Sequence, residues 1–175
     1  MLGHLHSMIK LLLFPAALLI CMMSSCSSPE PNKTMSAEEM KVRQVILNLF
    51  QAMYDGDSSA IRPLFDDSPL LYTIYERNDS TFKVEGGLNQ FLQSVGTPHQ
   101  VKWIEKSWDY KISIDGGLAQ AWCQYAFFAG ERFSHCGVDA FQLVKSPQGW
   151  RIFTLADTRR KDGCLFPTGK FFEPE

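Results

Sequence analysis

Apolar residues recur every three or four positions after Ser36, and this spacing predicts an amphipathic helix that ends at Gly56. Either Thr34 or Ser36 can cap its start, and Ser36 with Glu39 three residues later forms a capping box. The helix is expected to bury a single apolar stripe, which comprises Val42, Val45, Ile46, Leu49, Phe50 and Met53.

From residue 101 onward, apolar and polar residues alternate with a period of two, which predicts strands with one buried face. Turn residues separate these strands, and two short helices and a hairpin are predicted before them. The sequence therefore predicts an α+β fold in which helices precede an antiparallel meander. The predicted strands cover 70–76, 81–84, 108–114, 118–128, 133–145 and 150–158, and the short helices cover 58–65 and 88–95.

A short apolar run at 11–23 follows Lys10 and ends just before Cys26. The run is shorter than the roughly 20 residues that a membrane-spanning helix needs, so it predicts a secretory signal. Residues 23–26 resemble a bacterial lipobox, which implies that Cys26 is lipidated and becomes the mature N-terminus. The alternatives are a plain signal peptide cut elsewhere, and a true start at Met8.

The predicted organisation is a signal peptide at 1–25, a tether at 26–36, one domain at 37–160 and a tail at 161–175. The net charge is −2 and no basic patch is interleaved with aromatic residues, so nucleic acid is not an expected partner. No metal-ligand spacing or cofactor-binding motif occurs, and neither a metal nor a cofactor is expected.

Three cysteines remain in the predicted domain and tail, namely Cys123, Cys136 and Cys164. One disulfide with a spare thiol and three reduced buried thiols are both compatible with this number, and the reduced state is favoured. A simple register across the turn at 130–131 sets Cys136 opposite Tyr125 and Asp139 opposite Trp122, which argues against a bond between Cys123 and Cys136.

The order of elements resembles the nuclear transport factor 2-like fold. The helix pair joined by residues 54–57 and the segments 135–144 and 149–152 are similar to its lumazine-binding and polyketide cyclase-like branch. The resemblance covers residues 38–159. It implies a cone in which a strongly bent antiparallel sheet wraps around the N-terminal helices and leaves a pocket between them. Such proteins include ketosteroid isomerase, scytalone dehydratase, polyketide cyclases and non-enzymatic binding modules, and many dimerise through the sheet.

The candidate catalytic residues are His135, Asp139 and Asp157. His135 and Asp139 lie four residues apart on one strand and share a face, and Gly137 between them would leave room for a ligand. A nearby carboxylate is expected to offset burial and keep the imidazole pKa near neutrality. The structural alternative is that Asp139 pairs with Arg151 or Lys145, or accepts a hydrogen bond from Trp122.

Ketosteroid isomerase chemistry is not expected, because the matching positions are Leu49 and residues 73–75, which carry neither the phenol nor the carboxylate. Aromatic residues are instead expected to line the pocket. The candidate ligand-binding residues are Tyr72, Tyr75, Trp108, Tyr110, Trp122 and Phe141.

The sequence thus predicts a lipid-anchored extracytoplasmic module that binds a small apolar or aromatic ligand, with the membrane reached through the lipid. A small-molecule isomerase, dehydratase or cyclase that uses His135 with Asp139 or Asp157 is the first alternative. A homodimeric interaction protein of the cell envelope is the second.

Overall fold

The computed structural model describes residues 34–164 together with Phe166 and Pro167, so Cys26 and the predicted signal lie outside the described residues. Within these residues, three α-helices and six strands follow one another in the predicted order, with a 3-10 turn at Arg62–Leu64 after the second helix. They are α1 (Ala37–Asp55), α2 (Ser58–Ile61), β1 (Phe65–Arg77), β2 (Ser80–Gly86), α3 (Leu88–Gly96), β3 (Trp103–Asp115), β4 (Leu118–Ala129), β5 (Arg132–Ser146) and β6 (Gly149–Thr158).

The ends of α1 are fixed by the residues that the sequence indicated. Glu39 donates its backbone N–H to Ser36 Oγ at 3.2 Å, and Ser36 N donates to Glu39 Oε2 at 2.6 Å, which completes the capping box. Gly56 ends the helix with φ 71°, a left-handed conformation that glycine adopts without a steric penalty. Among the described residues, no helix combines the length and the apolar character that crossing a bilayer requires.

The six strands form one curled sheet in the order β2-β1-β6-β5-β4-β3. The α+β class and the packing of helices on a bent sheet are confirmed, but the sheet is mixed because β1 and β6 run parallel. Short turns force antiparallel pairing along the meander from β3 to β6. A long stretch of chain separates β1 from β6, so no short turn determines whether these two strands run parallel or antiparallel.

Bulges in β3 and β5 decide which of their side chains face the helices. In β3, one extra residue lies between Trp108 and Lys111, where Asp109 has φ 58°. In β5, Ser134 is the extra residue, because Phe127 pairs with His135 while Phe128 pairs with Phe133. The predicted register from β4 to β5 is therefore wrong by one residue. Cys136 lies opposite Ala126 and Asp139 lies opposite Cys123.

The main core lies between the helices and the inner face of the sheet. The stripe of α1 is buried as predicted except at Val45, which is half-buried, and Phe50 meets Phe141 edge to face at 6.4 Å. On the outer face, Trp122 remains 48% exposed. The predicted homodimer through this face stays a prediction.

A second cluster lies on the outer face, where the segment after β6 packs against the sheet. Cys136 and Cys164 form a disulfide there, which corrects the expectation that all three thiols are reduced, whereas Cys123 is a buried free thiol. Phe166 stacks on Trp108 with ring centroids 6.1 Å apart. The sequence order could not reveal this pairing, because it depends on the bulge that turns Cys136 outward.

Candidate functional site

A cavity of about 620 Å³ lies between α1, α3 and the inner face of the sheet. Its walls are largely apolar near the helices, and most of its charged side chains come from β3, β5 and the end of β6. The apolar part includes Leu49, Phe50, Met53, Phe91, Phe141 and Leu155, and the polar part includes Glu105, Tyr125, His135, Asp139, Asp157 and Arg159.

The strand register arranges part of the polar wall in two rows across the sheet. In the first row, Glu105 pairs with Phe127, which pairs with His135. In the second row, Cys123, Asp139, Asp157 and Thr73 follow one another across β4, β5, β6 and β1. Paired residues share a face, so carboxyl groups from separate strands meet in one cavity.

Asp157 has a full set of partners. It accepts hydrogen bonds from Thr73 Oγ1 and from Arg159 Nε, each at 2.6 Å, and it lies 3.2 Å from Tyr125 Oη, whose one proton it shares with Thr158 O. Its side chain is 14% exposed, whereas that of Arg159 is 51% exposed. The arginine therefore neutralises Asp157 from the rim of the cavity. These contacts give Asp157 a structural role in joining β1, β6 and the residue that follows β6.

Asp139 is 3% exposed, and its Oδ2 has no hydrogen-bond partner within the described part of the chain. Its carboxyl group and that of Glu105 line the same cavity and each perturbs the pKa of the other. Burial and the neighbouring charges of Glu105 and Asp157 raise the pKa of Asp139 well above its ordinary value. Burial likewise raises the pKa of Glu105 to about 7, although its side chain is only half-buried and opens onto the cavity. The pair therefore retains a proton at neutral pH.

His135 Nδ1 lies 2.9 Å from Ser134 Oγ, and its ring meets Tyr125 edge to face at 5.7 Å. Burial, together with the positive charge of Arg159, lowers the pKa of His135 to about 4. The expectation of an imidazole pKa near neutrality is therefore wrong. Burial and the guanidinium outweigh the carboxylate of Asp157, so the imidazole is neutral at pH 7.

These shifts predict opposite effects of pH on stability. Glu105 keeps its proton in the folded chain above its ordinary pKa of 4.5, so its contribution to the free energy of unfolding falls as pH rises from about 4.5 to about 7. His135 stays neutral below its ordinary pKa of 6.5, so its contribution rises with pH from about 4 to about 6.5.

Urea denaturation across this pH range measures both effects. Relative to Glu105→Gln, the wild-type protein is expected to lose stability as pH rises. Relative to His135→Gln, it is expected to gain stability. If the difference in the free energy of unfolding between wild type and variant changed with pH in the same direction for both variants, the opposite pKa shifts of Glu105 and His135 would be contradicted.

The cavity brings together some of the predicted site residues and not others. His135, Asp139, Asp157, Tyr72 and Phe141 line it. The other four predicted ligand-binding residues do not line the cavity, so this part of the prediction is wrong. They are Tyr75, which stacks on Phe82 at 5.3 Å; Trp108, which the β3 bulge turns to the outer face; Tyr110, which packs in the core beside Ser107; and Trp122, which faces outward.

Gly137 does not leave room for a ligand. A Cβ at this position would lie 1.8 Å from the carbonyl oxygen of Thr158 and 2.8 Å from Tyr125 Cε1. The glycine is therefore needed for the close approach of β6 to β5. The ion pairs suggested for Asp139 are also not made, because Lys145 binds Glu38 at 3.1 Å and Arg151 lies 3.8 Å from Asp66.

Sequence reasoning missed Glu105, Tyr125 and Arg159. Glu105 had a recognisable signal, since it is a carboxylate two residues after Trp103 in a strand and shares the face of that tryptophan. No sequence signal indicated that Glu105 would lie near Asp139, because residues far apart in the sequence meet only after the sheet curls. Arg159 lies just after the last strand in a run of three basic residues, and a run of this kind gives no sign of a cavity.

No family model and no curated protein matches the sequence. Several solved structures are similar in fold. A protein of unknown function from Shewanella baltica shares 17% identity with a TM-score of 0.58, over 75% of this chain and 100% of its own. A proposed dehydratase from Streptomyces avermitilis shares 14% identity with a TM-score of 0.52, over 70% and 96%.

The β subunit of a proposed aromatic-ring-hydroxylating dioxygenase from Novosphingobium aromaticivorans shares 14% identity with a TM-score of 0.59, over 70% of this chain and 88% of that subunit. The proteins from Shewanella and Streptomyces are both described as nuclear transport factor 2-like. These likenesses confirm the fold expected from the resemblance, while its lumazine-binding branch stays a prediction. The chain has the nuclear transport factor 2-like fold.

Proposed function

We propose that this protein binds a small organic ligand in the cavity between its helices and the curled sheet, outside the cytoplasm and on a lipid anchor at Cys26. The observation that carries the proposal is the cavity itself. Its volume of about 620 Å³ falls within the range of small-molecule sites. Apolar walls near α1 and α3 can hold the body of a ligand, and the polar end of the cavity can orient it.

The similar solved structures support the use of this fold with small molecules. Their descriptions as a dehydratase and as a subunit of an aromatic-ring-hydroxylating dioxygenase concern those proteins alone. Because one fold serves many activities, the ligand must be inferred from the residues of this cavity.

The disulfide between Cys136 and Cys164 supports the proposed location, because disulfides persist mainly in oxidising compartments outside the cytoplasm. The anchor itself rests on the sequence around Cys26. Mass spectrometry of the mature N-terminus is expected to find a diacylglyceryl cysteine at position 26, and Cys26→Ala is expected to release the protein from membranes. A mature N-terminus elsewhere would overturn this part of the proposal.

A melting-temperature screen with hydrophobic, flavin-like and pterin-like compounds tests the binding proposal. A ligand at a hundred times its Kd is expected to stabilise the protein by about 2.7 kcal/mol. Ser94 on α3 lines the cavity and is exposed, so Ser94→Trp is expected to obstruct the cavity and remove the shift.

The matched control is Gln93→Trp, which places the same side chain on an exposed neighbouring position that is not among the residues lining the cavity. This variant should respond to the ligand as the wild-type protein does. Failure of every compound class to raise the melting temperature would count against the proposal. So would an equal response of Ser94→Trp.

A second candidate is an acid–base enzyme, an isomerase, dehydratase or cyclase. The observation that favours it is that two carboxyl groups with raised pKa values, those of Glu105 and Asp139, line one cavity with the imidazole of His135. A carboxyl group with a pKa of about 7 is a better general base at neutral pH than an imidazole with a pKa of about 4. This candidate predicts that Glu105→Gln lowers turnover more than His135→Ala. A larger loss in His135→Ala would instead favour His135 as the base, with Asp139 or Asp157 as its partner.

A further inference from the structure

Asp139 is an acidic side chain that the fold buries without completing its hydrogen bonds. It lines the cavity, is 3% exposed, and its Oδ2 has no partner within the described part of the chain. A buried polar atom without a partner is costly, and native structures seldom retain one without a reason. A ligand group that donates a hydrogen bond would satisfy it.

Glu105 adds a second carboxyl group at the same place. Three acids, Glu105, Asp139 and Asp157, therefore face one another across the polar end of the cavity. The guanidinium of Arg159 lies within reach of their charges, but its Nε is bound to Asp157 at 2.6 Å. Within residues 34–164, neither Glu105 nor Asp139 forms an ion pair.

The remaining charged groups do not change this balance. His135 is neutral at pH 7, and Lys161 acts on that imidazole only from a distance. The cavity therefore has three carboxyl groups and, among the described residues that line it, only one positively charged side chain, that of Arg159. An anionic ligand would meet net electrostatic repulsion there. A ligand that brings its own positive charge would balance the pair.

Aromatic rings surround the same place. Trp103 lies two residues before Glu105 on the same face, and its ring meets Phe127 edge to face at 5.9 Å. Tyr125 and Phe127 also line the cavity. Aromatic faces attract organic cations, and the attraction grows when water is excluded. Carboxyl groups with aromatic neighbours form a suitable site for an organic ammonium group.

We propose that Glu105 and Asp139 bind the ammonium group of an organic amine, whose apolar body lies against the side chains of α1 and α3. This inference rests on the proposed binding function and names the class of its ligand. On binding, the ammonium N–H groups donate to both carboxylates, and the proton that the pair held before binding passes to the solvent. The amine remains protonated throughout, so one proton is released for each amine bound.

Calorimetric titration of the full-length protein with three probes of similar shape tests this inference. The probes are 2-phenylethylamine, 2-phenylethanol and 3-phenylpropanoate, which carry a positive, a neutral and a negative end. The amine is expected to bind about tenfold or more tightly than the alcohol, as hydrogen bonds between charged partners predict. The carboxylate is expected to bind more weakly than either.

Titrations of the amine in buffers with different ionisation enthalpies measure proton release. At pH 7 the apparent binding enthalpy is expected to change with the ionisation enthalpy of the buffer, and the sign of the change should correspond to protons released from the protein on binding. Glu105→Gln and Asp139→Asn should each lose about tenfold in affinity for the amine while binding the alcohol unchanged. Glu76→Gln, an exposed glutamate outside the cavity lining, is the matched control and should bind all probes as the wild-type protein does.

Two outcomes would overturn the inference. If the alcohol binds as tightly as the amine, the site recognises shape without charge, and the proposed binding function survives. If the amine binds equally to Glu105→Gln and to the wild-type protein, it binds elsewhere. Failure of all three probes overturns the amine assignment, while the wider screen with Ser94→Trp decides separately whether the cavity binds any ligand.

Discussion

Gly137→Ala is expected to destabilise the domain by at least about 4 kcal/mol, the range in which single substitutions have an identifiable severe cause. The new Cβ would lie 1.8 Å from the carbonyl oxygen and 2.8 Å from the carbonyl carbon of Thr158, which are backbone atoms. The end of β6 cannot move away freely. Thr158 O accepts a hydrogen bond from Tyr125 Oη at 2.9 Å, and Thr158 Oγ1 accepts one from Val138 N at 3.0 Å.

Thermal unfolding measures the effect, and the expected fall in melting temperature is more than about 10 °C. Gly117→Ala is the matched control, because nothing lies within 4 Å of the Cβ it would add. That variant should stay within a few degrees of the wild-type protein. A Gly137→Ala variant with unchanged stability would show that β5 and β6 are farther apart in solution.

Removal of the disulfide is expected to cost about 3–4 kcal/mol, because the bond joins residues separated by 28 positions and limits the unfolded chain. The variant that combines Cys136→Ser with Cys164→Ser should show this loss in urea denaturation. A reductant should lower the melting temperature of the wild-type protein and have no further effect on the double variant.

Cys123→Ala provides the control for this experiment. Its thiol is buried and free, so the variant loses packing but should keep its sensitivity to the reductant. A wild-type protein whose melting temperature does not respond to a reductant would contradict the expected contribution of the bond. The disulfide lies on the outer face, away from the cavity, so its loss should lower stability far more than ligand affinity.

Local features of the fold were predictable because short-range chemistry determines them. Ser36 and Glu39 cap α1, and Gly56 ends it, as their positions in the sequence indicated. Asp57 caps α2, and the turns of the meander lie where glycine and polar residues predicted them. Each of these features depends on residues a few positions apart, so the sequence contains the whole cause.

The candidate site was only partly predictable. Placing His135, Asp139 and Asp157 on the cavity wall required only the alternation of side chains along strands. The choice among the aromatic residues failed for Trp108, because the Asp109 bulge reverses the alternation at that point. The neutrality of His135 was also not predictable, because it depends on burial and on Arg159, whose position the curl of the sheet determines.

The sequence by itself determined the helices, the strands and their order, since capping groups, turn residues and apolar periodicity act over short distances. Only the tertiary structure decided that β1 runs parallel to β6, that Cys136 meets Cys164, and that Glu105 reaches Asp139. These outcomes depend on contacts between distant residues and on the single-residue bulges of β3 and β5. Because side chains alternate on a strand, one extra residue exchanges the inner and outer faces beyond it, and no local pattern reports that exchange.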